Sequence, residues 1–370
     1  MNKQFRLPDG LAVALGLGLL LAAGLFAAFF PQPEFSDHER RYLSDAPSAP
    51  SLTSWETDDE IERYLSDRVP LRRVLVGVDA SAHVLTGRRT QLETWPVAGA
   101  YVEKPVTGDE QTLERRLAQM AEVAQKAGAP WRVMVPPTHG WLLRDELSAP
   151  LRTLYQAEEA FYDLLSVQQE NVPLTDVLAG IPDAYYLTDH HWTLEGAYAA
   201  YEAYCQSAGL AAQPLENYAL SAFEGFQGTT FSRCGLLHAQ ADTLRCAEPA
   251  GQVRLTLLED GTVHERFIFP ERAETYDGYA VYLDGNHGML EMINPDAPEG
   301  TLLVFKDSFA NCVLPLLSAN YRRIVAVDAR YYGGNFSDAV SAAGETDEVL
   351  FLYSLDSLLN DTVVARKIAR

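Results

Sequence analysis

Near the C-terminal end, three apolar runs follow one another: "TLLVF" at 301–305, "RRIVAVDA" at 322–329 and "DEVLFLY" at 347–353. Between them lie segments with helical spacing, so the order reads strand, helix, strand, helix, strand. Strands that are apolar at every position, rather than at every second one, are buried on both faces and belong to a parallel sheet covered by helices. An earlier run, "WRVMVPP" at 131–137, ends in prolines and reads as a further buried strand, while "APLRTLYQAEEAFYDLLSVQQ" is helical. "VRLTLLEDGTVHERFIF" carries two strand-like runs joined through Asp260-Gly261, a strong hairpin signal. The fold class is therefore α/β, with a helix-flanked parallel sheet and an inserted β element. With 370 residues and 47% hydrophobic composition, the chain can bury a substantial core.

The formal net charge of −22 argues against a nucleic-acid partner, which requires a basic surface. Leu11 to Phe30 are twenty consecutive positions without a charge, preceded by Lys3 and Arg6 and followed by Glu34 and Asp37. This pattern predicts a transmembrane anchor at 11–30, with residues 1–10 cytoplasmic and the remainder exported. A cleaved signal peptide is the competing reading. Residues 31–95 read as a juxtamembrane linker and a helical lead-in interrupted by Pro70, and 96–370 as the main domain. Of the cysteines Cys205, Cys234, Cys246 and Cys312, the pair Cys234–Cys246 is the best candidate for a disulfide; four free thiols is the alternative.

Ser308, in "TLLVFKDSFANCVLPLL", falls at a strand-to-helix turn, where an open parallel sheet places ligands and where main-chain N–H groups can hold an oxyanion. That suits a nucleophilic serine. Simple capping of the helix by Asp307 or Ser308 competes with this reading. Lys306 and Asp307 are read as shaping the turn. A base is available in "YLTDHHWTLEGAY": Asp189 and His191, two apart, project to one side of an extended segment, so the carboxylate could orient the imidazole. His190 and Trp192 would point the other way, and Thr193 would cap the helix that ends at Gly209. Adjacent histidines diverge in extended chain, so no metal site is expected; a metal-dependent phosphoesterase would need further aspartate motifs. Two histidines satisfied near a helix start remain the non-catalytic reading.

"DHHW" at 189–192, "KDSFAN" at 306–311 and "VDARYY" at 327–332, together with "FSDHERRYLSDAP", "IERYLSDRVPLR" and "GAYVEKP", resemble the DHHW protein family of Gram-positive bacteria. That family is related to the alginate O-acetylation proteins. The resemblance implies an SGNH-hydrolase-like fold and a triad of Ser308, His191 and Asp189. The alginate proteins carry glycine two positions before the serine, where this chain has Lys306. Asn286, in "YLDGNHG", matches the role of an oxyanion asparagine. Arg330, just after the strand at 322–329, should reach the same crevice and is with Tyr331 a candidate substrate contact, a surface ion pair beside a packed tyrosine being the alternative; His139, after an early strand, is not counted among the site residues. No cofactor is implied. The function implied is extracytoplasmic transfer of an acyl group, with acetyl the expected group, to or from a cell-surface polysaccharide, beside a membrane-bound O-acyltransferase partner. A non-catalytic glycan-binding or scaffold role in a polymer-modification complex is the alternative.

Overall fold

The computed structural model describes residues 9–29, 34–36, 41–45, 55–86, 88 and 94–369. Much of the expected linker, and positions 1–8 of the expected cytoplasmic segment, lie outside them. The chain forms two compact units, Met1–Leu92 with Ser232–His238, and Glu93–Phe231 with Ala239–Arg370.

In the first unit a helix covers Asp9–Phe29, overlapping all but the last residue of the segment expected to cross a membrane. The anchor is not found as such: among the described residues no helix is long and apolar enough to cross a membrane. The lead-in forms two helices, Trp55–Asp67 and Arg72–Leu85, broken at Pro70 because proline cannot donate to the helical ladder. Asp67 is buried at the end of the first of these and accepts from Arg41 and from the Ser44 N–H.

The second unit is built on a seven-stranded sheet. Its strands are β1 (Trp131–Met134), β2 (Arg254–Leu257), β3 (Val263–His264), β4 (Met289–Ile293), β5 (Thr301–Lys306), β6 (Arg323–Asp328) and β7 (Glu348–Leu352), in the order β1-β7-β5-β6-β4-β2-β3. The first four in that order are mutually parallel, and β4, β2 and β3 continue the sheet antiparallel. The expected inserted β element is thus an extension of the central sheet. Its Asp260-Gly261 turn is present, with Gly261 at φ 77° and Thr256 opposite Val263. Outside the sheet, Tyr218–Phe226 and Asp242–Pro249 form a separate antiparallel hairpin.

Alternate residues of the central strands feed two cores. Leu302 and Val304 of β5 face the layer containing helix Leu194–Ala208, and Leu303 and Phe305 face the layer containing helix Glu110–Ala127. Phe305 stacks on Phe336 and Phe351 at 4.2 and 5.2 Å. All four β5 side chains are fully buried, which accounts for the unbroken apolar run. The four cysteines are free buried thiols, so the Cys234–Cys246 disulfide is not formed.

Helix Leu194–Ala208 begins as expected: Thr193 Oγ1 accepts from the Gly196 N–H, and Gly209 closes the helix at φ 69°. Its first turn presses against the segment before it. A Cβ on Gly196 would lie 2.3 Å from the Ala184 carbonyl oxygen and 3.1 Å from Trp192 Cβ. Gly196→Ala should therefore lower stability by about 1–3 kcal/mol in urea unfolding; an unchanged midpoint would show that this junction can open without cost.

Candidate active site

At the carboxyl end of β5 the chain leaves the sheet through Asp307 and enters a 3₁₀ turn, Ser308–Cys312. Asp307 is the capping residue: one carboxylate oxygen accepts from the Phe309 N–H at 3.0 Å, the other from the Ser354 N–H at 2.8 Å. Ser308 is thereby left free of capping. Its side chain turns instead to His191, with Oγ 2.9 Å from Nε2.

His191 Nδ1 lies 2.5 Å from Asp189 Oδ1. A carboxylate only accepts, so Nδ1 carries the proton and Nε2 is left as the acceptor facing Ser308. Asp189 is fully buried. Oδ1 also accepts from the His191 main-chain N–H at 3.0 Å, and Oδ2 accepts from the Thr229 N–H at 2.6 Å. Burial alone would raise this carboxyl; the charges of His190 and His191, with these hydrogen bonds, hold it well below the usual range. His191 is lowered from the ordinary imidazole value, first by burial and then by His190, against the pull of Asp189.

Four features of this site departed from the extended-chain picture or left no local sequence signal. His190 does not diverge from its neighbours: the 187–191 segment is bent, so His190 Nδ1 lies 3.6 Å from Asp189 Oδ1 and its ring 4.0 Å from that of His191. Tyr279 stacks flat on the His191 ring at 3.9 Å and 4°, fixing its plane. Trp192 is wholly buried and donates from Nε1 to the Phe309 carbonyl at 3.0 Å, joining the histidine segment to the serine turn. Asp242 holds the base of the segment, accepting from the Leu187 and Thr188 N–H groups at 2.9 and 2.8 Å.

The other candidates sit around the same sheet edge. Asn286 Oδ1 accepts from Asn311 Nδ2 at 3.1 Å, which ties it to the serine turn. Arg330 is committed to Asp328, donating from Nε and Nη2 at 2.9 and 2.6 Å, while Tyr331 is 57% exposed. His139 stacks on Tyr185 at 5.0 Å; burial pushes it down to about 4. Asp189, His190 and His191 place three donor atoms within 4.8 Å. Both Asp189 oxygens are already engaged by hydrogen bonds, and the three residues come from one tripeptide, a poor match to a converging metal site.

Residues 181–327 match the family described as DHHW protein. The resemblance to the DHHW protein family is therefore shown. This DHHW region contains Asp189, His191 and Ser308 together. Among solved structures, a DHHW family protein from Eubacterium siraeum is 21% identical, with a TM-score of 0.62 over 74% of this chain and 94% of its own. Bacillus cereus PatB1 with a sulfonyl adduct is 20% identical, with a TM-score of 0.60 over 73% of this chain and 97% of its own. The O-acetyltransferase domain of Pseudomonas putida AlgJ is 15% identical, covering 74% of this chain and 97% of its own at a TM-score of 0.41. No curated protein matches the chain.

Gly228 is what lets the Thr229 N–H reach Asp189. A Cβ there would stand 2.2 Å from Asp189 Cβ and 2.3 Å from Oδ2. Gly228→Ala should displace the carboxylate and lower stability by about 1–3 kcal/mol in urea, with loss of the downfield Nδ1–H proton signal of His191. A variant that keeps both would show that this loop does not position Asp189.

Proposed function

We propose that the chain is a serine-dependent acyltransferase or esterase acting on acetyl groups of a cell-surface polysaccharide. The observation that carries this reading is the continuous relay from Ser308 Oγ to His191 Nε2 at 2.9 Å and from His191 Nδ1 to Asp189 Oδ1 at 2.5 Å. Such a relay supplies a nucleophile, a base in the right tautomer and a group that stabilises the imidazolium.

In the reaction, His191 Nε2 takes the Ser308 proton as Oγ attacks the acyl carbonyl. The oxyanion that forms faces the Ser308 N–H, which has no hydrogen-bond partner among the described residues, and the amide of Asn286. Collapse of the intermediate expels the donor oxygen, which receives the proton from His191. An acceptor hydroxyl then gives its proton to His191 as it attacks the Ser308 ester; the second intermediate collapses by breaking the Oγ–acyl bond, Ser308 Oγ takes the proton back from His191, and the acyl group leaves on the acceptor, or on water in hydrolysis. Ser308 is half-buried, so an acyl donor can reach it, whereas Asp189 cannot be reached. Tyr331, exposed on the loop after β6, is the proposed polymer contact; Arg330 would act there through charge, being held by Asp328.

Acetyl and polysaccharide are supported by the DHHW resemblance and the relation of that family to the alginate O-acetylation proteins. An extracytoplasmic site of action, with an O-acyltransferase partner supplying the acyl group, rests on that resemblance and on the uncharged run Leu11–Phe30 behind Lys3 and Arg6.

Hydrolysis of a chromogenic acetyl ester is the direct test. Ser308→Ala should lose on the order of 10⁴-fold in kcat; equal activity in both proteins would sink the assignment. Should both be inert towards the ester, labelling of Ser308 by a sulfonyl fluoride decides between an enzyme awaiting its natural donor and a scaffold.

The pH profile carries a second test. A lowered His191 pKa keeps the neutral, basic form below about pH 6.5, the ordinary imidazole value, so the acid limb of kcat/KM should lie below that point. His190→Gln removes a like charge and should move the limb upward. A limb at or above 6.5 in the native protein, or one unmoved by His190→Gln, contradicts the electrostatics described.

A further inference from the structure

Lys306 is fully buried at the last position of β5, two residues before Ser308. A buried ammonium is costly unless something uses its charge or its hydrogens. Its Nζ lies 4.0 Å from Asp328 Oδ2, beyond hydrogen-bond reach, and Asp328 is already bound twice by Arg330. The short contact is elsewhere: Nζ donates to Asn311 Oδ1 at 2.7 Å. Asn311 Nδ2 in turn donates to Asn286 Oδ1 at 3.1 Å.

The direction of this chain is fixed by chemistry. An ammonium has three donors and no acceptor, so Asn311 must present its oxygen to Lys306. Its NH₂ then faces Asn286, which must present its own oxygen in return. The NH₂ of Asn286 is left pointing away from the chain. An asparagine on its own has two nearly equivalent amide orientations; Lys306 removes that freedom two links away.

The loop bearing Asn286 is held as well. Leu283, Asp284 and Gly285 all have positive φ, at 59°, 63° and 103°. The Leu283 N–H bonds the Phe267 carbonyl at 2.8 Å, and Arg272 Nε bonds Asp284 at 2.6 Å. Gly288, after Asn286, packs so closely on the Tyr331–Tyr332 backbone that a Cβ there would meet it at 2.9 Å. The loop is therefore clamped on both sides of Asn286 while its amide is polarised through Asn311.

We propose that Lys306 and Asn311 are positioning residues that hold the Asn286 amide with its NH₂ presented as an oxyanion donor for the reaction at Ser308. This rests on the acyl-transfer reading above. It also gives the lysine a role in orienting the donor set of the site, where the alginate proteins have a glycine.

The test reads the rate of Ser308 sulfonylation by phenylmethanesulfonyl fluoride, a reaction that needs no natural acyl donor, in the full chain. Asn286→Ala and Lys306→Met should each slow labelling by about 10–100-fold, and oxyanion donors are worth this much or more. The double variant should be no slower than Asn286→Ala alone, since Lys306 acts only through Asn286. Asn311→Asp is the decisive variant. It is isosteric and keeps an acceptor for Lys306, but it cannot donate, so Asn286 must turn its NH₂ inward and labelling should slow as in Asn286→Ala. A purely structural role predicts near-native labelling for Asn311→Asp. If Lys306→Met fails to fold, Asn311→Asp with Asn286→Ala still decides. Native-like labelling of Asn311→Asp, or multiplicative losses in the double variant, overturns the positioning role while leaving the triad standing. If the native protein is not labelled and Ser308→Ala behaves identically, the acyl-transfer reading fails and this inference falls with it.

Discussion

The buried carboxylate of Asp189 is the constraint from which the rest of the site follows. An ionised carboxylate removed from water costs many kcal/mol unless its oxygens are matched by donors. Here they are matched from two directions: the His191 main chain and ring on Oδ1, and the Thr229 N–H on Oδ2. The second donor comes from 40 residues further along the chain, so the loop through Gly228 must lie directly against the aspartate. Asp242 grips the residues just before it, and burial raises that carboxyl even though the Leu187 and Thr188 donors oppose the rise. Two carboxylates thus bend the 187–191 segment, and the bend decides which way the histidines face.

Ser308 stands between two polar systems of opposite kind. On one side is the His191 relay, neutral at the imidazole. On the other are Lys306, Asp307, Asp328 and Arg330, four charged groups at the ends of adjacent parallel strands, where Lys306 pairs in register with Asp328 and with Leu352. Burial would raise Asp307; the Arg330 charge and the Ser354 hydrogen bonds bring it below its usual value. Because β5, β6 and β7 end together, their terminal side chains lie at one edge of the sheet, the place where an open α/β sheet offers a ligand site. The sheet end anchors the serine turn, and Trp192 ties that turn to the segment bearing His191.

The parallel strands were legible because burial on both faces makes β5, β6 and β7 apolar at every position. The antiparallel edge was harder to read. β4 carries Glu291 in its middle, a residue that argues against a buried strand until Arg323 Nε is seen at 2.7 Å from it. The helix Glu110–Ala127 went unread, although its buried Leu113, Leu117, Met120 and Ala124 fall at helical spacing. At the site, Asp189, His191 and Ser308 stood out by residue type and local context. Thr229, Tyr279 and Asn311 did not, because their roles depend on which segments fold against one another. The extended-chain argument paired Asp189 with His191, which lie 2.5 Å apart, and misplaced His190, since it assumed an alternation that the bend abolishes.

That bend gives the four residues of the motif separate tasks. Asp189 fixes a tautomer, His191 turns its unprotonated Nε2 to Ser308, and Trp192 ties the histidine segment to the serine turn. His190 shares the carboxylate at 3.6 Å without capturing it, since His191 holds the same oxygen at 2.5 Å. Its consequence is electrostatic: a second imidazole beside the first disfavours adding a proton to His191 and reinforces the effect of burial. The same charge favours the ionised form of Asp189, which raises the basicity of His191. The two effects oppose each other at His191 and agree at Asp189. Paired histidines on one aspartate therefore protect the ionised carboxylate first, and with it the tautomer on which the proposed proton transfer from Ser308 depends.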